Sequence, residues 1–235
     1  MTTPVSLTPQ IVQECFQWDV RTWKKCLDEW GPVLRTGKKL RCLDVGSRDG
    51  GLTLLLALHG HEVVCTDLEA PGISARDLHR KYGVDSLVTY QAMDATAIPF
   101  KETFDVVIFK SVLGGIGRDG HTEKQLLALD QLFHSLRPNG TLLFAENLSA
   151  SMLHRALRKI FNRWGTYWNY PTVHWLRNKL EEHGDVSMKT TGFLAAFGRS
   201  EKQRELLARL DDAFICRVVP TSWRYVAYGW VRKGQ

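Results

Sequence analysis

The segment Asp44-x-Gly46-x-x-x-Gly50 joins one apolar run, Leu40 to Val45, to another, Leu52 to Leu58. The first run reads as a buried strand and the second as a buried helix ended by Gly60. Glycines at such a turn let a ligand approach bare backbone and the free N–H groups of a helix start. Ser47 and Arg48 fall inside the same turn. Asp67 closes the next apolar run, Glu62 to Asp67, followed by Leu68. A carboxylate at that strand end can accept both hydroxyl protons of a ribose. Asp94, in Gln91-Ala92-Met93-Asp94-Ala95-Thr96, can accept a hydrogen bond from an exocyclic amine. Lys110 ends the run Phe104 to Phe109 and can orient an acceptor oxygen or an acidic group.

A hydroxyl acceptor needs a base near its proton. His154 follows the fifth expected strand closely, where Glu146, Asn147 and Ser151 also cluster, and is the first candidate. His121 begins the helix after the fourth strand and is the second, with capping as its other reading. The remaining histidines, His61 and His79 among them, read as surface or helix-end residues. Ser111, Glu146 and Asn147 stand at strand ends facing the same region. Trp164, Tyr167, Trp168 and Tyr170 lie beside Arg155, Arg158, Lys159 and Arg163. Aromatic faces flanked by cations suit sugars, flat rings or anionic groups. A basic amphipathic helix with interfacial tryptophans can also lie on a membrane, which makes peripheral membrane contact a second expectation for this stretch.

Strands alternate with helices to position these residues. Strands are expected at Leu40–Val45, Glu62–Asp67, Leu87–Gln91, Phe104–Phe109 and Thr141–Glu146, with helices at Gly51–His59, Ser74–Tyr82 and Thr122–Leu136. Most of the strands are apolar throughout, which predicts a mostly parallel sheet covered on both faces. Right-handed crossovers then give a doubly wound α/β fold that binds ligands at the carboxyl ends of its strands. After helices at Ser149–Arg163 and Thr172–His183, strands at Val186–Phe197 and Ser222–Val231, joined by helix Glu201–Cys216, form an antiparallel edge pair of a seven-stranded sheet. Residues 1–38 predict one or two helices, broken at Gly31-Pro32, that extend the domain at 39–235 and close over the ligand. The stretch of about 148–175 reads as a substrate cap inserted after the fifth strand.

Composition narrows the class. With 44% hydrophobic and 24% charged residues among 235, the chain predicts a folded core. Its apolar runs are far shorter than a membrane span requires, and no secretory leader is read at its start. The five cysteines are scattered, with no C-x-x-C pair, so neither zinc nor a disulfide framework is expected. A reduced, cytoplasmic protein without a metal follows. The net charge of +6 admits acidic partners, but no nucleic-acid motif accompanies it.

Dinucleotides, nucleotide phosphates and S-adenosylmethionine all use a glycine turn of this kind. A P-loop would end in Gly-Lys-Ser/Thr, and a dinucleotide fingerprint would place glycine at Arg48. The segment resembles the first motif of class I S-adenosylmethionine-dependent methyltransferases, with Arg48 in place of the motif's middle glycine. Ala92-Met93-Asp94-Ala95, Ile98-Pro99-Phe100, Phe104-Asp105-Val106-Val107 and Leu136-Arg137-Pro138-Asn139-Gly140 are similar to later elements of that superfamily, in the same order. The resemblance covers about residues 40–147. It implies a Rossmann-like fold and S-adenosylmethionine as cofactor. That cofactor would be held by Asp44, Gly46, Ser47, Arg48, Gly50, Asp67, Leu68, Met93, Asp94, Ala95 and Lys110.

The strand-four loop lacks the Asp-Pro-Pro-Tyr type sequence used on nucleobase amines, so oxygen methylation of a small molecule or sugar is expected. Stretches 109–115 and 144–148 look like bacterial enzymes of polysaccharide or secondary-metabolite pathways. His154, His121 and Lys110 are the catalytic candidates, and Ser111, Glu146, Asn147, Trp164, Tyr167 and Trp168 the substrate-binding ones. A lipid-linked acceptor or a non-catalytic binding module are the alternatives.

Overall fold

The computed structural model describes residues 7–161 and 167–234. Its strands are β1 (Arg41–Val45), β2 (Glu62–Asp67), β3 (Val88–Ala92), β4 (Phe104–Lys110), β5 (Leu136–Asn147), β6 (Gly184–Thr191) and β7 (Val226–Lys233). They form one sheet in the order β3-β2-β1-β4-β5-β7-β6. The pairs β3-β2, β2-β1, β1-β4 and β4-β5 are parallel, and β7 runs antiparallel to both β5 and β6. The doubly wound, mostly parallel seven-stranded sheet is therefore as its sequence predicts.

Side-chain alternation on β4 shows why both faces are covered. Val106 and Ile108 enter one core, and Val107 and Phe109 enter the other. All four are buried, as a central strand with helices on each side requires. The second core also takes Leu129, Leu132 and Phe133 from α7 (Thr122–Ser135) and Leu176 and Leu180 from α9 (Val173–Glu181).

The first core is closed by the N-terminal helices α1 (Pro9–Phe16), α2 (Val20–Trp23) and α3 (Cys26–Leu34). Their partner is α4 (Gly51–Leu58), where every residue from Gly51 to Ala57 is buried. A helix that is apolar all round must be covered all round. Trp23 and Trp30 are buried in this layer, and the Trp30 indole donates to the Gly229 carbonyl at 2.9 Å.

Several boundaries differ from expectation. Gly31-Pro32 does not end a helix but lies inside α3. Burial of Trp30 and Gly31 there outweighs the N–H that proline lacks, and the helix stops only at Leu34. β5 starts at Leu136 and not at Thr141, with Arg137-Pro138-Asn139-Gly140 as an irregular lead-in and Asn139 at φ +62°. β6 stops at Thr191, because Gly192 at φ +77° redirects the chain. Phe193, Leu194 and Ala195 then donate their backbone N–H groups to the buried Asp211 carboxylate. Helix α5 (Ile73–Lys81) flanks β2, short α6 (Leu113–Ile116) follows β4, and α8 (Met152–Phe161) follows β5. Helix α10 (Glu201–Leu210) runs on through π-type turns at Asp211–Ile215.

A Cβ at Gly51 would lie 2.4 Å from the Cys15 carbonyl oxygen and 2.8 Å from that of Glu14. Backbone cannot yield there as a flexible side chain could. Gly51→Ala is therefore expected to push α1 off α4 and destabilise the fold by about 1–3 kcal/mol. Urea denaturation checks this, and an unchanged midpoint would show that α1 does not rest on α4.

Candidate active site

The turn after β1 is built from left-handed backbone. Gly46, Arg48 and Gly50 have φ of +69°, +51° and +77°. Arg48 thus takes a conformation that glycine adopts without strain, at a cost of about 1–2 kcal/mol. Asp67 holds it there, accepting the Arg48 N–H at 2.8 Å on Oδ2 and the Leu68 N–H at 2.7 Å on Oδ1. Ser47 N–H donates to the Thr66 carbonyl, tying the turn to β2. From below, His79 Nε2 donates to the Gly50 carbonyl at 2.9 Å, and its Nδ1 accepts from the Tyr90 hydroxyl at 2.8 Å. This pairing fits a neutral ring, and burial lowers the pKa of His79 accordingly. The residue is a fully buried prop for the turn rather than a surface residue. His61 is likewise buried, close to the Leu34 carbonyl.

Asp44 lies at the foot of the turn. Its Oδ2 accepts the Thr53 hydroxyl at 2.7 Å, and its Oδ1 is buried without a partner among the described residues. Burial pushes the carboxyl up to about 7. A buried acceptor left open costs free energy that a ligand donor can recover.

A cavity of about 1390 Å³ opens beside this oxygen. Asp44, Gly46, Ser47 and Arg48 line one side, with Lys110, Ser111 and Asn147 from the ends of β4 and β5. The N-terminal segment contributes Trp18 and Asp19, and the chain after β5 contributes Arg158, Trp168, Tyr170, Phe197, Arg204 and Tyr225. Ser111 and Asn147 are joined by a 2.5 Å hydrogen bond from the amide to the hydroxyl oxygen. Lys110 Nζ sits 4.8 Å from the Trp23 ring and 5.2 Å from the Trp18 ring, and burial brings its pKa down to about 8. Trp168 packs against Gly114, where a Cβ would lie 2.9 Å from its ring.

Other predicted residues stand elsewhere. Asp67, Leu68, Met93, Asp94 and Ala95 are not among the cavity walls. Leu68 is 71% exposed, whereas Met93 and Ala95 are buried in the second core. Asp94 is exposed, and its Oδ1 accepts both the N–H and the hydroxyl of Thr96 at 2.8 Å. Trp164 and Arg163 lie outside the described residues, as does the Lys159 side chain.

Four expectations need correction. His154 lines the cavity but is 1% exposed, with both ring nitrogens engaged. Nε2 donates to the Phe193 carbonyl at 2.9 Å, so Nδ1 accepts from Ser151 at 2.7 Å. No lone pair remains for an acceptor's proton. His121 is exposed, bonds Glu123 at 2.6 Å and does not line the cavity. Glu146 faces the interior and not the cavity. It accepts the backbone N–H groups of Val112, Leu113 and Asn147 at 2.8, 2.9 and 3.0 Å and fastens the loop after β4. Tyr167 is 59% exposed and outside the cavity.

Asp19 was not legible as a site residue. It is 1% exposed at φ +48°, with its N–H and that of Val20 each donating at 2.8 Å to the Glu201 carboxylate. The Tyr225 hydroxyl donates to Asp19 Oδ2, while Oδ1 has no partner among the described residues. Burial raises the carboxyl to about 6. Its placement depends on Glu201 and Tyr225, both far away in sequence, and no local motif announces it.

Comparison with known proteins agrees with this architecture. Residues 43–144 match a family model described as a methyltransferase domain. Uncharacterized protein Rv1405c of Mycobacterium tuberculosis is 33% identical over 117 residues, and an uncharacterized Mycobacterium bovis protein matches equally. Each match covers 48% of this chain and 40% of the relative, so it spans about two fifths of those proteins' length.

Among solved structures, a phosphoethanolamine N-methyltransferase from Haemonchus contortus, in complex with S-adenosyl-L-methionine, aligns with TM-score 0.64 at 14% identity. That alignment covers 96% of this chain and 56% of the other. A putative methyltransferase from Bacillus halodurans aligns at 0.59 and 17% identity, over 89% and 99% of the two chains. The [4+2]-cyclase SpnF aligns at 0.59 and 18%, over 91% and 83%. These likenesses concern the fold. Residues 43–144 thus match a methyltransferase domain, and the fold is the Rossmann-like one of the solved methyltransferases it aligns with.

Replacing Glu146 by Gln puts an amide NH₂ where one backbone N–H now finds an acceptor. A loss of about 1–3 kcal/mol is expected from that unmet contact. Thermal denaturation together with amide exchange at Val112 and Leu113 checks this. Unchanged protection there would show that Glu146 does not fasten the loop.

Proposed function

We propose that this protein binds S-adenosylmethionine in the cavity and methylates an oxygen of a small molecule or sugar. The observation that supports it most directly is the buried, unpartnered Oδ1 of Asp44 beside a left-handed glycine turn. An ammonium group fits that oxygen, and Gly46, Ser47 and Arg48 line the cavity beside Asp44. Asp67 keeps a lone pair on each oxygen for ribose hydroxyls, with Leu68 exposed next to it. Beyond the cavity walls, Asp94 would take the adenine amine on its other oxygen, with Met93 and Ala95 supporting that rim from the core. Helices α1–α3 and, from the expected cap, Arg158, Trp168 and Tyr170 would then shield the reacting end. When bound, the cofactor supplies an electrophilic sulfonium methyl.

Lys110, Ser111, Asn147 and Trp168 surround the place where an acceptor oxygen would sit. Holding that oxygen in line is most of what such a site must do. Its proton goes to Asp19 Oδ1, since His154 and His121 are excluded by their bonding and position. Thr22, Tyr225, Arg204, Glu201 and Lys110 are the polar and charged groups acting on Asp19.

The likeness to a cyclase supports keeping a reading without methyl transfer as the alternative. A specific feature supports a lipid-linked acceptor. Leu206, Leu210, Phe214 and Val218 recur every fourth residue and are all exposed, as is Trp223. Such a stripe suits a membrane surface. Co-sedimentation with anionic vesicles, lost in Leu206→Glu/Phe214→Glu, would favour that acceptor.

Calorimetric titration with S-adenosylmethionine tests the main reading. Asp67→Ala is expected to bind at least tenfold more weakly, a loss of about 1.4 kcal/mol or more. A folded wild type that binds no cofactor would overturn it. With an acceptor in hand, kcat is expected to fall as the pH drops through about 6, because Asp19 is a base only when ionised. Asp19→Asn is expected to lose kcat and that limb of the profile while still binding cofactor. A profile that keeps the limb would place the base elsewhere.

A further inference from the structure

The cavity holds three cations without counterions. Lys110, Arg158 and Arg204 all line it, and among the described residues none has a carboxylate within ion-pair distance. They come from three separate elements, β4, α8 and α10. Arg158 Nη1 donates to the Leu148 carbonyl at 2.7 Å, and its guanidinium stands 4.1 Å from the Tyr170 ring. Arg204 Nε donates to the Gly198 carbonyl at 3.0 Å, with its guanidinium 5.5 Å from the Trp18 ring. The opposite ends of both side chains keep donors in reserve. The Trp168 indole N–H, on the same cavity, is buried and has no partner among the described residues.

Lys110, Arg158 and Arg204 are each half-buried, and a cation drawn partly out of water is stabilised when an opposite charge meets it. Elsewhere the fold provides that charge: Lys25 and Arg21 share Asp212, and Arg137 meets Asp105. In the cavity it does not. The carboxylates present, Asp19 and Asp44, are engaged on one oxygen by Tyr225 and Thr53 and pair with none of the three. A single cofactor carboxylate could satisfy one cation beside the glycine turn. It could not also meet Arg158 and Arg204, which come from the chain after β5.

Resting on the methyl-transfer reading, we propose that the acceptor binds as an anion, a phosphate or carboxylate on a flat or apolar body. Its charge meets Arg158, Arg204 and Lys110, and its body lies against Trp18, Trp168 and Tyr170. Planar guanidinium groups match the two-oxygen edge of either anion, and the aromatic faces match a ring. A neutral sugar would leave the three cations unmet.

The test uses phenyl phosphate, benzoate and phenol as probes, titrated into the protein with and without S-adenosylhomocysteine. Phenyl phosphate or benzoate is expected to bind at least tenfold more tightly than phenol, and less tightly as salt rises. Arg158→Gln and Arg204→Gln are each expected to weaken the anionic probe about tenfold while leaving S-adenosylhomocysteine affinity within twofold. If one variant fails to fold, the other and the phenol comparison still decide.

Equal binding of phenol and phenyl phosphate, or full anion affinity in a folded arginine variant, would overturn the proposal. Cofactor binding with no anion preference would defeat it alone, whereas anion binding without cofactor binding would defeat the methyl-transfer reading alone. Phosphatidic acid vesicles separate the sources. Co-sedimentation lost in Arg158→Gln assigns the anion to a lipid, and phenyl phosphate binding without co-sedimentation assigns it to a soluble acceptor.

Discussion

A helix that is apolar on every side cannot face water, and Gly51–Leu58 is such a helix. One side rests on the sheet. The other must be covered by something, and the N-terminal helices do so through Cys15, Phe16, Trp23 and Trp30. This requirement fixes more than stability. Once α1 lies on α4, the next residues in the chain, Gln17 to Asp19, are carried to the mouth of the glycine turn that starts α4. The glycine turn that starts α4 thus also determines which segment closes over it. Packing and function are joined at Gly51, where the missing Cβ admits the Cys15 carbonyl.

The turn itself illustrates how a motif survives a departure from its pattern. The conformation needed at position 48 is left-handed, and arginine adopts it at φ +51° because Asp67 and His79 hold the loop on both sides. The strain is local and the bonds that offset it are tertiary. Sequence reading sees the substitution but not the support, since Asp67 and His79 reach the turn from β2 and α5.

Legibility followed the same line. The parallel strands and their order of appearance could be read because the fold buries both faces of β1 and β4, and burial writes itself as uninterrupted apolar runs. The positions of Asp44, Gly46 and Lys110, which line the cavity, could be read because each sits at the end of such a run. His154 was misread for a related reason. Its closeness to a strand end is real, but its chemistry is set by Phe193, which only the turn at Gly192 brings near. Gly31-Pro32 was misread because local propensity counts for less than burying Trp30. Asp19, Arg204 and Tyr225 could not be read at all: they assemble from the first and last parts of the chain, and no spacing encodes their meeting.

The cavity's electrostatics follow from this assembly. Asp19 is pushed up to about 6 and Lys110 down to about 8, both chiefly by burial. The two shifts bring the groups toward each other and toward neutrality, which is what a cavity does to charges it cannot hydrate. Between those values both remain ionised, yet they form no ion pair, so each keeps its charge available to something that enters. A paired Lys–Asp couple would have spent that capacity within the protein. The rings of Trp18 and Trp23 stand beside the ammonium. An aromatic face stabilises a cation without neutralising it. The tryptophans contributed by the N-terminal helices therefore both close the core around α4 and leave the cavity's positive charge unspent.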